Sequence, residues 1–313
     1  MVKDAALVIG SLNYDYILRT SHLPQNGETL TAESFDICPG GKGGNQAVQC
    51  AKLGLPTYMA AAVGNDSMGD FLYGKLKEYG VEVSRVRREK GTSGFALVCS
   101  AGKGKTFATI VKGANECFGE KDIDALDDIF RMAAVVILQL EIPVNIVEYC
   151  IQKAKEYGCS IMLNTAPAKD IGKKIALCDY VVMNEVEAQF YCSQPSITAE
   201  NAGASAERLS AAYNNTVIIT LGSAGATISV RGNPSRHFAA FDIPALETTG
   251  AGDSFIGGLA YGIINKFAME ETMAFASCCS AVTIQKPGGQ PAMPVLEQVM
   301  PLLPQYRHDP AFS

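Results

Sequence analysis

Short runs of uninterrupted apolar residues recur along the chain, and most end on a polar residue or a glycine. Ala5 to Gly10, Met59 to Val63, Val135 to Leu140, Ser160 to Leu163, Tyr180 to Met183 and Val217 to Leu221 read as strands. Their apolar positions are continuous rather than alternating, which predicts strands buried on both faces. Segments with helical spacing lie between them: Ala47 to Gly54, Ser67 to Gly80, residues 122 to 131 and Val144 to Tyr157. This rhythm predicts an α/β fold with a mostly parallel sheet and helices on both faces. In such sheets ligands gather at the carboxyl ends of the strands, so the polar tips become candidates: Asn13 and Asp15, Glu141, Asn164, Asn184 and Glu187, and Gly222 to Gly225.

Other stretches do not fit the alternation. Residues 16 to 37 carry no core-helix pattern, while Thr92 to Val98 and Lys105 to Ile110 read as a hairpin through Gly102-Lys103-Gly104. Together they predict a small sheet covering the pocket. Short strands are expected around the Gly232-Asn233-Pro234 turn, and an apolar helix from Met269 toward Ile284. Lys286 to Pro291 is a Pro/Gly loop, the last helix ends near Leu303, and Arg307 to Ser313 is expected to be a loose tail.

Two glycine-rich stretches bring in the chemistry. Thr249-Gly250-Ala251-Gly252-Asp253-Ser254-Phe255 precedes the small, apolar run Ile256 to Gly262, which predicts a tight turn at the positive end of a buried helix. Asp253 there reads either as a helix cap or as a base toward a hydroxyl, with neighbouring amides receiving a phosphoryl group. Pro39-Gly40-Gly41-Lys42-Gly43-Gly44-Asn45-Gln46 forms a second close-approach turn just before a helix. It is not a Walker A loop, since G-x-x-x-x-G-K-[ST] is absent.

Composition narrows the setting. The 313 residues include 48% hydrophobic and 19% charged residues, with a net charge of -6, as expected for a globular protein without a call for nucleic acid. No run approaches the 18 apolar residues of a membrane span, and Ala5 to Gly10 is too short for a signal-peptide core. The 10 cysteines form no C-x-x-C pair, and with 3 histidines they predict buried free thiols in a reducing cytoplasm rather than a zinc site.

The chain resembles the ribokinase-like sugar kinases, the PfkB carbohydrate kinase family, over nearly its whole length. Gly40 to Ala47 and Thr249 to Phe255 carry the match, supported in family order by Gly10 to Asp15, Gln139 to Pro143, Asn184 to Glu187 and Thr220 to Gly225. The resemblance implies one domain over residues 1–313: a three-layer sandwich with a β-sheet lid from about 12–40 and 92–115. It implies ATP-dependent phosphorylation of a primary hydroxyl on a small sugar. Asn13, Asp15, Gly41, Lys42, Asn45 and Glu141 would bind the sugar, Asp253 would be the base, and Gly250, Ala251 and Gly252 would form the anion hole. Asn184 and Glu187 would organise Mg2+ and phosphate. Thr220, Leu221, Gly222, Ser223, Ala224 and Gly225 would underlie the nucleotide, with Gly252 and Ser277 beside it. Glu247, Thr249, Thr283, Lys286, Gly288 and Ala292 match a monovalent-cation loop expected to bind K+. A cytoplasmic homodimer through the lid sheets is also implied.

Within the family the D-ribose kinases are the most similar, through Asn164-Thr165-Ala166-Pro167-Ala168 and Gly288-Gly289-Gln290-Pro291. The chain departs from them in having Glu247 in place of Asp and Ala292 in place of Ser. Lys112 at the lid's return is expected to meet an anionic group, and Tyr14 and Tyr16 beside Asp15 are expected to narrow the pocket rim. Deoxyribose, another pentose, a ketohexose and a nucleoside therefore stand as alternative acceptors.

Overall fold

The computed structural model describes residues 3–101 and 105–304, so the expected Gly102-Lys103-Gly104 turn and the Arg307 to Ser313 tail lie outside it. From the N-terminus the strands are β1 (Ala5–Ile9), β2 (Asn13–Arg19), β3 (Ser34–Gly40), β4 (Thr57–Gly64), β5 (Glu82–Glu89), β6 (Gly94–Ala101) and β7 (Lys105–Val111). There follow β8 (Ala133–Leu138), β9 (Ser160–Asn164), β10 (Tyr180–Met183), β11 (Thr216–Thr220), β12 (Ala226–Val230) and β13 (Arg236–Phe238). Nine of them form one sheet in the order β13-β12-β11-β10-β9-β8-β1-β4-β5, and the other four a smaller sheet in the order β3-β2-β6-β7. The large sheet is parallel from β11 to β5, with β12 and β13 added antiparallel at one edge.

Strand alternation sorts the core into two layers. Ala6, Val8, Ile137, Met162, Val182 and Ile218 pack on one face, with Ala47, Phe255, Leu259 and Phe275 from the helices Lys42–Lys52, Ala251–Ile264 and Met269–Thr283. Leu7, Ile9, Val136, Leu138, Ile161, Val181 and Val217 face the other way, toward Val147, Ala188 and Ala206 from Val144–Glu156, Glu185–Cys192 and Ala202–Tyr213. Both faces are covered, which is why the strands read as unbroken apolar runs. Among the described residues no helix is long and apolar enough to cross a membrane.

Three expectations need correction. Residues 122 to 131 are two short helices, Glu120–Asp124 and Asp127–Met132, because Leu126 leaves helical geometry at φ -99°, ψ 9°. The second glycine stretch is not a loop before a helix: the helix begins at Lys42, so Gly43 and Gly44 lie inside it. A Cβ at Gly43 would stand 2.7 Å from the Ser11 nitrogen, so glycine is what lets this helix start against the end of β1.

The third correction concerns the lid. Register places Asn13 and Asp15 on one face of the small sheet and Tyr14 and Tyr16 on the other. The two tyrosine rings, 4.9 Å apart, pack on Phe71, Phe35 and Phe95. They therefore do not narrow the pocket on the Asp15 side.

Candidate active site

The polar tips of β1, β8, β9, β10 and β11 converge on the start of the Ala251–Ile264 helix. Gly250 caps that helix at φ +80°, a left-handed conformation that suits glycine. The Ala251 amide donates to the Thr248 carbonyl at 3.2 Å, and the amides of Gly252 and Asp253 open the first turn, where the helix dipole favours an anion.

Asp253 is 8% exposed. Its carboxylate accepts from Asn45 Nδ2 at 2.8 Å and from Gln46 Nε2 at 2.9 Å. Burial raises its pKa; Lys42 and the two amides pull it back, and Glu141 pushes it further up. For the Lys42 ammonium, burial opposes the charge, but Asp253, Glu141 and Glu187 outweigh it and the pKa rises. Lys42 thus sits as a cation among three carboxylates.

Glu141, after β8, and Asp15, on the small sheet, lie close enough to Asp253 to repel it. Glu141 accepts from Ser11 Oγ at 2.5 Å and from the Lys42 amide at 3.1 Å. Asp15 lies against Gly40, with Oδ1 buried and unpartnered. Burial, with Glu141 and Asp253 adding repulsion, pushes its carboxyl up to about 7. Asn13 accepts from Asn115 Nδ2 at 2.9 Å, and Asn115 also bonds the Leu12 amide and carbonyl. With its oxygen engaged, Asn13 has its NH2 left to donate. Gly41 caps the Lys42 helix beside Asn13. Lys112 pairs with Glu116 at 2.5 Å, so its expected anionic partner comes from its own segment.

Two cavities meet at Gly252, and the first also takes in Asp253. One, of about 240 Å³, is lined by Lys42, Asn164, Asn184, Glu187, Thr220, Gly250, Gly252 and Asp253. Asn184 and Glu187 form a reciprocal cap, Glu187 Oε2 accepting from the Asn184 amide at 2.7 Å and Asn184 Oδ1 from the Glu187 amide at 2.9 Å. Burial raises the Glu187 pKa against the pull of that amide and of Lys42. The second cavity, about 260 Å³ and mostly apolar, takes in Thr220, Gly222, Ser223, Gly225, Phe241, Ile243, Gly252 and Ser277. Leu221 is buried in the core and Ala224 packs against that core, so these two belong to the floor rather than the wall. A larger cavity, about 490 Å³, opens near Tyr180 and Thr216, at the opposite ends of β10 and β11.

The expected cation loop is contiguous, with unequal contributions. Glu247 Oε2 accepts from the Gly288 amide at 3.2 Å, and Thr249 lies beside Gly289. The Thr283 hydroxyl is buried and directs its proton to Ser254 Oγ or the Cys279 carbonyl, and its carbonyl takes the Lys286 amide at 3.3 Å. Ala292 is buried and offers no side-chain ligand. Among the described residues no group of three or more His, Cys, Asp or Glu side chains could hold a metal ion.

Sequence reasoning named Asn164 as a strand tip and quoted Gln139 and Gln290 within motifs, but gave none of them a role, and it missed Asn115 altogether. Gln139 Nε2 donates to Gln46 Oε1 at 2.7 Å, Gln46 Nε2 also reaches Asn164 Oδ1 at 3.2 Å, and Gln290 Nε2 donates to Asn45 Oδ1 at 3.1 Å. Gln139 and Asn164 carry a usable signal, an amide at the tip of a buried strand. Asn115 carries none, since it lies in a short 3₁₀ turn after the lid.

Residues 3–296 match the pfkB family carbohydrate kinase. A ribokinase of Schizosaccharomyces pombe is 35% identical over 304 residues, spanning 94% of this chain and 96% of that protein. A deoxyribokinase of Salmonella typhi is 34% identical over 294 residues, spanning 93% and 96%. Among solved structures, Arabidopsis thaliana ribokinase complexed with ribose and ATP superposes with a TM-score of 0.86 at 29% identity, over 97% of this chain and 99% of that one. The match covers nearly the whole chain, so the chain belongs to the pfkB family and is a carbohydrate kinase.

Proposed function

We propose that the protein transfers the γ-phosphoryl group of ATP to the primary hydroxyl of D-ribose, with Asp253 as the base. The observation that carries this reading is the buried Asp253 carboxylate, held by Asn45 and Gln46 at the mouth of the Ala251–Ile264 helix between the lid and the two cavities. Asn13, Asp15, Glu141, Asn45 and the Gly41-Lys42 turn would grip the sugar. A missing hydroxyl would leave such groups unpaired, at roughly 1 to 3 kcal/mol each. The apolar cavity with Ser277 suits the nucleoside of ATP. The Gly250 to Gly252 amides would receive the moving charge.

Asn184 and Glu187 offer hard oxygen donors beside this path and fit Mg2+, which would neutralise phosphate charge when bound. The Glu247 carboxylate and the backbone of the loop around Gly288 fit K+, with Thr249, Thr283, Lys286 and Ala292 contributing no carboxylate. The outer lid face exposes Phe35, Ile37, Leu97 and Phe107, which supports a homodimer through the lid. The cysteines are all free, which suits a reducing cytoplasm.

The likeness to the deoxyribokinase favours 2-deoxyribose as a second reading. An ADP-release screen with MgATP over ribose, 2-deoxyribose, fructose, adenosine and pseudouridine, in K+ and in a large organic cation, tests both. Ribose is expected to give the highest kcat/KM and K+ to raise the rate. Higher turnover of a nucleoside would overturn the substrate, and equal rates in both cations would remove K+.

A further inference from the structure

The Lys42–Lys52 helix presents four polar side chains, Asn45, Gln46, Gln49 and Lys52, each with at least one partner in the C-terminal part of the chain. The first two hold Asp253. Gln49 donates to the Pro294 carbonyl at 3.1 Å and accepts from Ser254 Oγ at 2.7 Å. Lys52, two turns beyond Asn45, is half-buried; the groups it bonds are neutral, and burial with the nearby Lys286 charge lowers its ammonium pKa to about 8, so it is mostly charged at neutral pH. Its ammonium donates to the carbonyls of Gln290 at 2.8 Å and Met293 at 2.8 Å, with Pro291 at 3.4 Å, and lies 4.7 Å from the centre of the Tyr79 ring. A cation taken partly out of water without a carboxylate needs such a nest to offset its desolvation.

The loop gripped by this nest reaches the site at two points. Gln290 Nε2 donates to Asn45 Oδ1 at 3.1 Å, and Asn45 Nδ2 in turn donates to Asp253 Oδ2 at 2.8 Å. Gln290 thereby fixes which way the Asn45 amide faces: with its oxygen occupied, Asn45 must turn its NH2 to the carboxylate. The loop also backs the helix cap, since a Cβ at Gly250 would stand 3.2 Å from Gly289 Cα.

We propose that Lys52 is a positioning residue for phosphoryl transfer: a tethered cation that anchors the 290–293 loop so that Gln290 and Asn45 aim Asp253 at the acceptor hydroxyl. This rests on Asp253 being the base. Lys52 touches neither substrate nor base, so its effect belongs mainly on kcat, with a smaller one on the sugar KM through Asn45.

The test is steady-state kinetics and thermal unfolding of the full chain carrying Lys52→Met, Gln290→Leu, both together, or Lys52→Arg, with D-ribose and MgATP, or 2-deoxyribose should the screen return it. Each single loss is expected to lower kcat by about tenfold, with the sugar KM within about twofold. The double variant is expected to match the singles, because both cut one relay. Lys52→Arg, which keeps charge and donors, is expected to recover most of the rate. Losses that multiply in the double variant would overturn the proposal, as would an unchanged kcat in Gln290→Leu. Gln290→Leu keeps the loop's Lys52 anchor, so it still decides the matter if Lys52→Met does not fold. Asp253→Asn run alongside separates the two readings. If it is inactive while the relay variants behave additively, the base stands and the relay falls.

Discussion

The two halves of the site around Asp253 are built on different physical plans. On one side, Gln290 with Asn45 and Gln139 with Gln46 form two short amide relays that meet on the Asp253 carboxylate, and Asn115 separately holds Asn13. On the far side, the cavity under Gly222, Phe241, Ile243 and Ile284 is mostly apolar, shaped by glycine turns and core packing. The first plan rewards a ligand only when it completes specific bonds. The second accepts a flat, partly apolar group by shape and burial, with little penalty for small changes. Substitutions on the two sides should therefore differ in size and in the kinetic constant they move.

The largest effect is expected at the junction. Asp253→Asn keeps the volume but removes the proton acceptor and sets an NH2 against one of the two amides that donate to it, Asn45 or Gln46, and kcat should fall by about a thousandfold with the ATP KM little changed. Near-normal turnover would dissolve the comparison, because the two halves would no longer share a reacting group.

Asp15 comes next and exposes a conflict between stability and binding. Its carboxyl stands at about 7 in the folded protein against an ordinary 3.8. The fold therefore favours the protonated form, and its contribution is full below pH 4 and lost as pH rises through 7. Ionising this group in the fold costs at most about 4 kcal/mol. Asp15→Asn should raise the melting temperature of the free protein at pH 8 more than at pH 5, while kcat/KM for the sugar falls by about a hundredfold. Thermal scans at the two pH values check the sign; a variant less stable at pH 8 than the parent would refute the burial argument.

Asn13→Ala should cost less, about tenfold in sugar kcat/KM with the ATP KM unchanged, since one donor is lost while Asn115 keeps its two bonds to Leu12. A matching rise in the ATP KM would mean that the amide side and the nucleotide side are not separable.

How far these features could be read from the chain follows the same division. The large sheet was legible because strands covered on both faces leave unbroken apolar runs, and Glu141, Asn164, Asn184 and Thr220 stand where those runs stop. β5 was not: Glu82–Glu89 carries Arg85, Arg87 and Arg88, as an edge strand can, with only Val83 and Val86 buried. The glycine signatures brought Gly41, Lys42 and Asn45 to Asp253, but partners such as Asn115, Gln290 and Lys52 come from distant turns and helix ends, and nothing local marks them. Tyr14 and Tyr16 show the opposite failure. Sequence adjacency to Asp15 suggested a shared pocket, whereas the two-residue period of β2 sends them to the outer face.

The smallest effect is expected on the apolar side, and it is the sharper check on the comparison because it predicts near-silence. Phe241 lines the second cavity and packs against the core beneath it. Phe241→Leu keeps an apolar wall and removes aromatic area, so only packing against the nucleoside should suffer. The ATP KM should rise by about two- to fivefold, with kcat and the sugar KM unchanged, the scale of trimming a few methylenes from an apolar contact. Replacing ATP by GTP in the same assay should cost the parent little more, because a site that selects by shape has few bonds to leave unmade. A hundredfold preference for adenine would mean that backbone groups near Gly225 or Ala240 read the base edge. The nucleotide side would then follow the same plan as the amide side, with main-chain groups taking the place of amide side chains.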